Sequence, residues 1–310
     1  MTEARPCSRL PPELECKIFE LAAVSRPTLI PALMRVAWRV KQWSLPFAPT
    51  HASCICFCFL RVEPLLYRTL IIGGDTIDGM PVCHMDAFTR VKQTKSPAFL
   101  GTAVRNVMLR NLDGNRVDDV LSACPGVENL YTWGILGERR GAACSAPSAL
   151  DVPPLRRVHC HPRDVIDGSS SDLFTRSAFV YVTHLDILSD HSPSRDALLG
   201  KRLAALPHLT HLALNPYGRS RFAFCMQMLA ACMRLRVLVV LCAHPWREEA
   251  CRAGLADDVR CVMMQLFHDV ADWQRGALTG TNYWSRAEAL IEKRVSGEVD
   301  QSTFFLEDET

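Results

Sequence analysis

One apolar pattern recurs seven times between residues 104 and 265, and it limits how this chain can fold. A full copy places apolar side chains at the first, fourth, seventh and ninth positions of a short window, as Leu206, Leu209, Leu212 and Leu214 do. The second positions of the seven copies are Val104, Val127, Leu155, Val182, Leu209, Leu235 and Val259. They are separated by 23, 28, 27, 27, 26 and 24 residues, a regularity that a chance match to a loose template does not produce. The chain is therefore expected to repeat one structural unit.

The last two apolar positions of each copy lie two residues apart, which places them on one side of a β-strand. Helical stretches are predicted between the strands, at 116–123, 195–205, 222–233 and 247–253. The spacing falls within the period of leucine-rich repeats, in which each unit is a strand plus a helix or an irregular return. The chain resembles that class, and the resemblance implies an α/β fold. We expect an irregular leucine-rich-repeat-like array with a parallel sheet over residues 104–265, its strands sharing one interior.

The segments that flank the array are expected to be helical. Residues 73–103 are predicted to be a linker with one helix. An open edge on the last strand needs covering, and residues 266–310 supply two helices and a tail that begins after Gly297. Trp273, Trp284 and Ile291 are the expected packing residues of this C-terminal helical cap.

Composition excludes several classes of function. A net charge of +2 is too small to predict binding to nucleic acid through bulk electrostatics. The most apolar run, 52–60, is far shorter than the ~20 residues that cross a bilayer as a helix, so no membrane contact is predicted. The 14 cysteines sit mostly within apolar runs, where a free thiol behaves as a small buried hydrophobe. A reducing compartment, the cytoplasm or the nucleus, is expected.

Residues 1–72 are predicted to form a short helical module that contains an insertion. Two short amphipathic helices are expected, and the apolar stripe of the second one stops at Trp43 and resumes at Val62. Residues 44–61 between them contain two prolines and the apolar run around Cys54, Cys56 and Cys58, and are predicted to be an inserted loop or disordered segment. A retained intron in the gene would explain the insertion. A metal site at the three cysteines is the alternative, although no His or Cys follows at zinc-finger spacing.

The opening motif resembles the start of an F-box, the helical module that binds the Skp-type adaptor of cullin ubiquitin ligases. It consists of Leu10-Pro11-Pro12-Glu13-Leu14, followed by Ile18-Phe19. The segments 38–41, 63–70 and 283–288 are similar to parts of a divergent group of fungal proteins in which an F-box-like module precedes a degenerate leucine-rich array. The resemblance implies that Leu10, Pro11, Leu14, Ile18 and Phe19 contact the adaptor. Inward packing of the same side chains on the second helix is the alternative interpretation.

Aligning the copies predicts one face of the sheet as a candidate target-binding surface. The residues that alternate with the apolar positions are Asn129, Tyr131, Arg157, His159, His184, Asp186 and His211. A zinc site at the two neighbouring histidines and Asp186, and a plain solvated face, are the alternatives.

The sequence shows no phosphate-binding loop, no nucleophile elbow and no zinc-protease motif. No catalytic residue, cofactor or metal is predicted, and we expect a protein that is not an enzyme. The expected function is the substrate-recognition subunit of a cullin-type ubiquitin ligase, which binds the Skp-type adaptor and a target protein. A scaffold without ligase contact, a degenerate paralogue, or an enzyme with a site assembled from distant residues are the alternatives.

Overall fold

A computed structural model describes most of the chain. The described residues are 63–73, 82–134, 155–160, 179–187, 193–215, 222–242, 246–265 and 269–306, together with positions 14, 17, 18, 21, 22 and 25. The predicted insertion 44–61 and the predicted adaptor contacts Leu10, Pro11 and Phe19 lie outside them.

A single parallel sheet of nine strands runs through the described part of the chain. The strands are β1 (Thr69–Ile72), β2 (Asn106–Arg110), β3 (Asn129–Trp133), β4 (Arg157–Cys160), β5 (His184–Ile187), β6 (His211–Leu214), β7 (Val237–Cys242), β8 (Cys261–Gln265) and β9 (Phe305–Leu306). Each strand pairs in parallel with the next one along the chain. The prediction of an α/β fold with a parallel sheet is confirmed.

Successive strands from β1 to β7 are joined by the same backbone arrangement. The N–H groups of Thr210 and His211 both donate to the carbonyl of Thr183, over 3.0 and 2.9 Å. At each of the remaining steps in this series, two consecutive N–H groups likewise donate to one carbonyl, for example to that of Arg105 or that of Arg156. Six equivalent steps explain why the apolar pattern keeps a near-constant spacing.

The sheet departs from the prediction at three strands. The pattern placed Val262 and Met264 on the same side as Leu238, whereas Cys261 pairs with Leu238 and the last copy is shifted by one residue. The shift was hidden because the first four residues of β8 are all buried, so β8 has no polar alternation to read. Strands β1 and β9 extend the sheet beyond residues 104–265, and β9 lies within the predicted tail.

One side of the sheet packs against helices that connect the strands. They are α1 (Met85–Thr94), α2 (Pro97–Ala103), α3 (Gly114–Ala123), α4 (Pro193–Ala204), α5 (Phe222–Ala231) and α6 (Arg247–Arg252). Local sequence starts two of them: the Ser96 side chain accepts the Phe99 N–H at the first turn of α2, and the Asp113 side chain accepts the Arg116 N–H at the first turn of α3. The apolar core between helices and sheet is continuous from Leu70 to Phe304.

The other side of the sheet is covered by the two C-terminal helices, α7 (Asp269–Thr279) and α8 (Tyr283–Ser296). Trp273 of α7 packs on Tyr131, and Trp284 of α8 packs in a cluster with Val239 and Val262. The helices thus lie across a face of the sheet and not at its end, where β9 covers the edge of β8. The reason is that β7 and β8 are apolar on both sides, and both sides must be removed from water.

Candidate functional site

Two groups of side chains were predicted to bind partners, and the N-terminal group is partly described. Leu14, Ile18 and Leu21 are helical and expose 49%, 51% and 58% of their surface. Their spacing of four and three residues aligns them in one stripe along the helix. Of the five predicted adaptor contacts, Leu14 and Ile18 are therefore large apolar side chains on the surface.

The second group, the predicted target-binding face, is brought together by the sheet. Register places Asn129, Arg157, His184 and His211 side by side on neighbouring strands. It likewise aligns Tyr131, His159 and Asp186 in a second row. All seven predicted residues thus lie on one face.

Most of that face is buried beneath α7 and α8. Tyr131, His159, Asp186 and His211 expose only 1–5% of their surface. Asn129, Arg157 and His184 at its margin remain partly exposed. A partner cannot touch the four buried residues while the C-terminal helices are in place.

A buried carboxylate joins two strands to α8. His159 Nδ1 lies 2.7 Å from Asp186 Oδ2, and since a carboxylate can only accept, the imidazole donates from Nδ1. The Tyr283 hydroxyl donates to the same oxygen over 2.7 Å. Tyr131 stacks on the His159 ring with centroids 3.9 Å apart. A histidine held by a carboxylate can serve acid–base chemistry. Here, however, the carboxylate of Asp186 also accepts a hydrogen bond from Tyr283 of the same chain.

A second polar contact holds α8 through two stacked histidines. The rings of His184 and His211 are parallel, with centroids 3.9 Å apart, and the Trp284 ring meets both edge-on. Glu288 Oε1 lies 3.0 Å from His211 Nε2. A carboxylate only accepts, so Nε2–H donates to Glu288, and Nδ1 lies 2.8 Å from the hydroxyl oxygen of Thr210.

Burial disfavours the charged form of both histidines. Burial lowers the pKa of His184 to about 2, and the neighbouring imidazole of His211 and the guanidinium of Arg157 act in the same direction. Burial also lowers the pKa of His211, against the opposing effect of Glu288. Among the described residues, no group of three or more metal-ligating side chains is placed to hold an ion.

Arg294 fixes the end of α8 to the edge of the sheet. Its Nε and Nη2 donate to the carbonyl of Gln301, its Nη1 to Val259 and Cys261, and its Nη2 also to Ala256. The side chain is 2% exposed, and every nitrogen of the guanidinium has an acceptor. This one residue therefore links α8 to the turn before β8 and to the segment that leads into β9.

The sequence analysis did not predict that residues of α8 cover this face, although α8 has an apolar stripe that indicates packing. Tyr283, Ala287, Leu290 and Arg294 recur at helical spacing and are all buried. Such a stripe predicts that the helix packs against something, but it does not say against which surface.

No described helix is long and apolar enough to cross a membrane. Comparison of the chain with models of protein families, with curated proteins and with solved structures finds no match.

Proposed function

We propose that this protein is a non-enzymatic substrate receptor of a cullin-type ubiquitin ligase. Its N-terminal helices bind a Skp-type adaptor, and a leucine-rich-repeat-like array holds a target protein. The observation that carries the proposal is the exposed apolar stripe of Leu14, Ile18 and Leu21. Large apolar side chains in line on a helix are costly in water and are typical of a surface that a partner covers.

The free energy of burying the three side chains of this stripe is large enough for them to anchor a protein partner. Full burial of one leucine or isoleucine side chain contributes about 1.5–3 kcal/mol, and these three are half exposed before binding. Together they contribute a few kcal/mol, which corresponds to about a hundredfold in affinity, since each 1.4 kcal/mol changes the dissociation constant tenfold. The resemblance of residues 10–19 to an F-box motif names the class of partner.

The array supports the second half of the proposal. Six equivalent steps between parallel strands in chain order are what a repeat architecture requires, since each unit contacts mainly its neighbours. Such arrays present long rows of side chains at fixed spacing and commonly serve as binding surfaces.

Binding to the adaptor tests the proposal. The full chain is co-expressed with a Skp-type adaptor, and complex formation is measured by size-exclusion chromatography and calorimetry. Ile18→Asp and Leu14→Asp are expected to weaken binding at least about a hundredfold, because each puts a charge into an apolar interface. Met233→Asp is the matched control: Met233 is 86% exposed but far from the stripe in sequence, and its substitution is expected to leave binding unchanged.

A chain that lacks residues 44–61 is measured in parallel, since the predicted insertion falls inside the module. If neither chain forms a complex with the adaptor, the proposal is wrong, and a scaffold without ligase contact takes its place.

A further inference from the structure

The described edge of the sheet where the strands begin is exposed over β4 to β7, unlike the face beneath α7 and α8. The turns before these strands carry Arg156, Tyr181, His208, Met233, Arg234 and Arg236, and all six are exposed. We call this set the leading-edge patch. Because the strands are parallel and adjacent, their preceding turns lie side by side, about 4.8 Å apart where they enter the sheet.

Direct contacts show that the turns form one surface. The Tyr181 ring stacks on His208 with centroids 6.4 Å apart and planes 12° apart, which joins the turns before β5 and β6. Nη1 of Arg234 donates to the carbonyl of Pro207, which joins the turns before β6 and β7. The Thr183 hydroxyl donates to the carbonyl of Arg156, which joins β4 to β5.

The patch has a one-sided charge. The pre-strand segments 155–157, 179–183, 205–210 and 232–236 contain four arginines and no aspartate or glutamate. Within the described chain, the side chains of Arg156 and Arg236 make no hydrogen bond or ion pair, whereas Arg260 at the next turn is paired with Asp258 over 2.7 Å. Two guanidinium groups that no described carboxylate pairs with therefore flank the exposed side chains of Tyr181, which is 57% exposed, and Met233.

Arginine, tyrosine and methionine are the side chains enriched at protein interfaces, and lysine is depleted there. Arginine also binds carboxylates in a two-pronged geometry that lysine does not provide. The patch thus combines apolar anchors with cationic flanks in a single row. A net charge of +2 for the whole chain argues against a nucleic-acid partner, which needs a broad basic field.

We infer that the leading-edge patch is the target-docking surface of this protein and binds a polypeptide segment in which carboxylates flank an aromatic or aliphatic side chain. The inference rests on the proposed function, since it names the partner class and the surface for target recruitment. It also places recruitment on the rim of the sheet and leaves the covered face as internal structure.

The test uses the full chain and a random peptide library displayed on phage. Selection is expected to enrich peptides that combine aspartate or glutamate with an apolar residue. A synthetic peptide from the enriched set then serves as the probe in fluorescence titrations. Arg156→Glu and Arg236→Glu are each expected to weaken its binding about tenfold or more, and Tyr181→Ser by a similar factor.

Matched controls separate the patch from general effects of charge and hydrophobicity. Arg90→Glu reverses an exposed charge on α1, and Trp133→Ser removes an aromatic ring that is 41% exposed at the opposite end of β3. Both are expected to leave probe binding within about twofold, because neither residue belongs to the patch. Circular dichroism of each variant confirms that the fold is retained.

The inference is overturned if no peptide is enriched, if the enriched peptides are basic or uncharged, or if the patch variants bind the probe as well as the controls do. Preferential binding of an RNA oligonucleotide over the peptide also overturns it. Adaptor binding measured on the same variants keeps the two proposals apart: the patch variants retain the adaptor if both hold. A chain that binds the probe through the patch but no adaptor disproves ligase membership alone.

Discussion

The hydroxyl of Tyr283 and the carboxylate of Asp186, 97 residues apart in sequence, form a buried hydrogen bond of 2.7 Å. Tyr283→Phe removes this donor and keeps the ring. The variant is expected to lose about 1–3 kcal/mol of unfolding free energy, because a buried carboxylate loses one of its two donors. Urea denaturation followed by circular dichroism measures the loss.

Tyr181→Phe is the control for that measurement, since Tyr181 is exposed and its substitution is expected to change stability by less than about 0.5 kcal/mol. Equal stability of the two variants would show that the tyrosine does not fasten α8 to the sheet.

Arg294→Met keeps most of the apolar side chain and removes every donor of the guanidinium. Several buried carbonyls then lose their partner, and the expected destabilisation is about 3 kcal/mol or more. The segment from α8 to β9 is expected to loosen first, so limited trypsin digestion of the variant is expected to cleave within residues 283–306 at protease levels that leave the parent chain intact. Arg252→Met, on the exposed end of α6, serves as the comparison. Unchanged resistance to protease would contradict the anchoring role.

The stability of the fold is expected to fall as pH drops below about 6.5. The pKa of His184 is lowered to about 2 in the folded chain, so protons bind the unfolded chain first. Above the ordinary histidine pKa both states are neutral and stability is complete; below it, each such histidine removes up to about 1.4 kcal/mol per pH unit. Partial exposure of His184 makes that slope an upper limit.

Urea denaturation between about pH 5 and pH 7.5 measures the slope, in a range where most carboxylates stay ionised. His184→Gln is expected to flatten the profile, although it also removes the ring stacked on His211. A profile as steep as that of the parent chain would mean that other groups carry the pH dependence.

Thiol reactivity is expected to follow burial. Burial raises the pKa of Cys124 and Cys225 to about 12 and that of Cys242 to about 11, which leaves almost no thiolate at neutral pH. Cys251 is exposed. Peptide mapping after brief treatment with a maleimide is expected to find Cys251 modified and the three buried thiols modified only in urea. Early modification of Cys225 would show that α5 opens in the native state.

The sequence predicted the strands whose two sides differ. At β5 and β6, leucine and isoleucine side chains on the helix side alternate with His184, Asp186 and His211, and this alternation sets the register correctly. It fails at β8, where Cys261 to Met264 are apolar on both sides and a shift of one residue leaves no trace in the pattern. Strand β1 was not predicted because its residues were assigned to the helical module, residues 1–72, which resembles an F-box. Strand β9 has only two residues, too few for any periodicity.

The cover over the predicted face could not be read from the pattern for a different reason. A histidine and an aspartate on alternating positions of a strand suggest a wetted surface, because isolated charges are rarely buried. His159 and Asp186 can be buried because they form a hydrogen bond with each other, and Asp186 also accepts one from Tyr283. Tyr283 lies 97 residues after Asp186 in the sequence. Partnerships over such distances leave no local signature.

The placement of α7 and α8 also fixes an order of events during synthesis. The ribosome finishes β8 before it adds residues 269–306, so for on the order of seconds a nascent sheet carries the bare side chains of Val237, Val239 and Met264. We expect chaperones to bind the nascent chain in that interval, because its apolar face is exposed. A premature stop codon upstream of residue 269 would release the sheet with this apolar face uncovered, and such a product is expected to aggregate instead of persisting as a shortened folded protein.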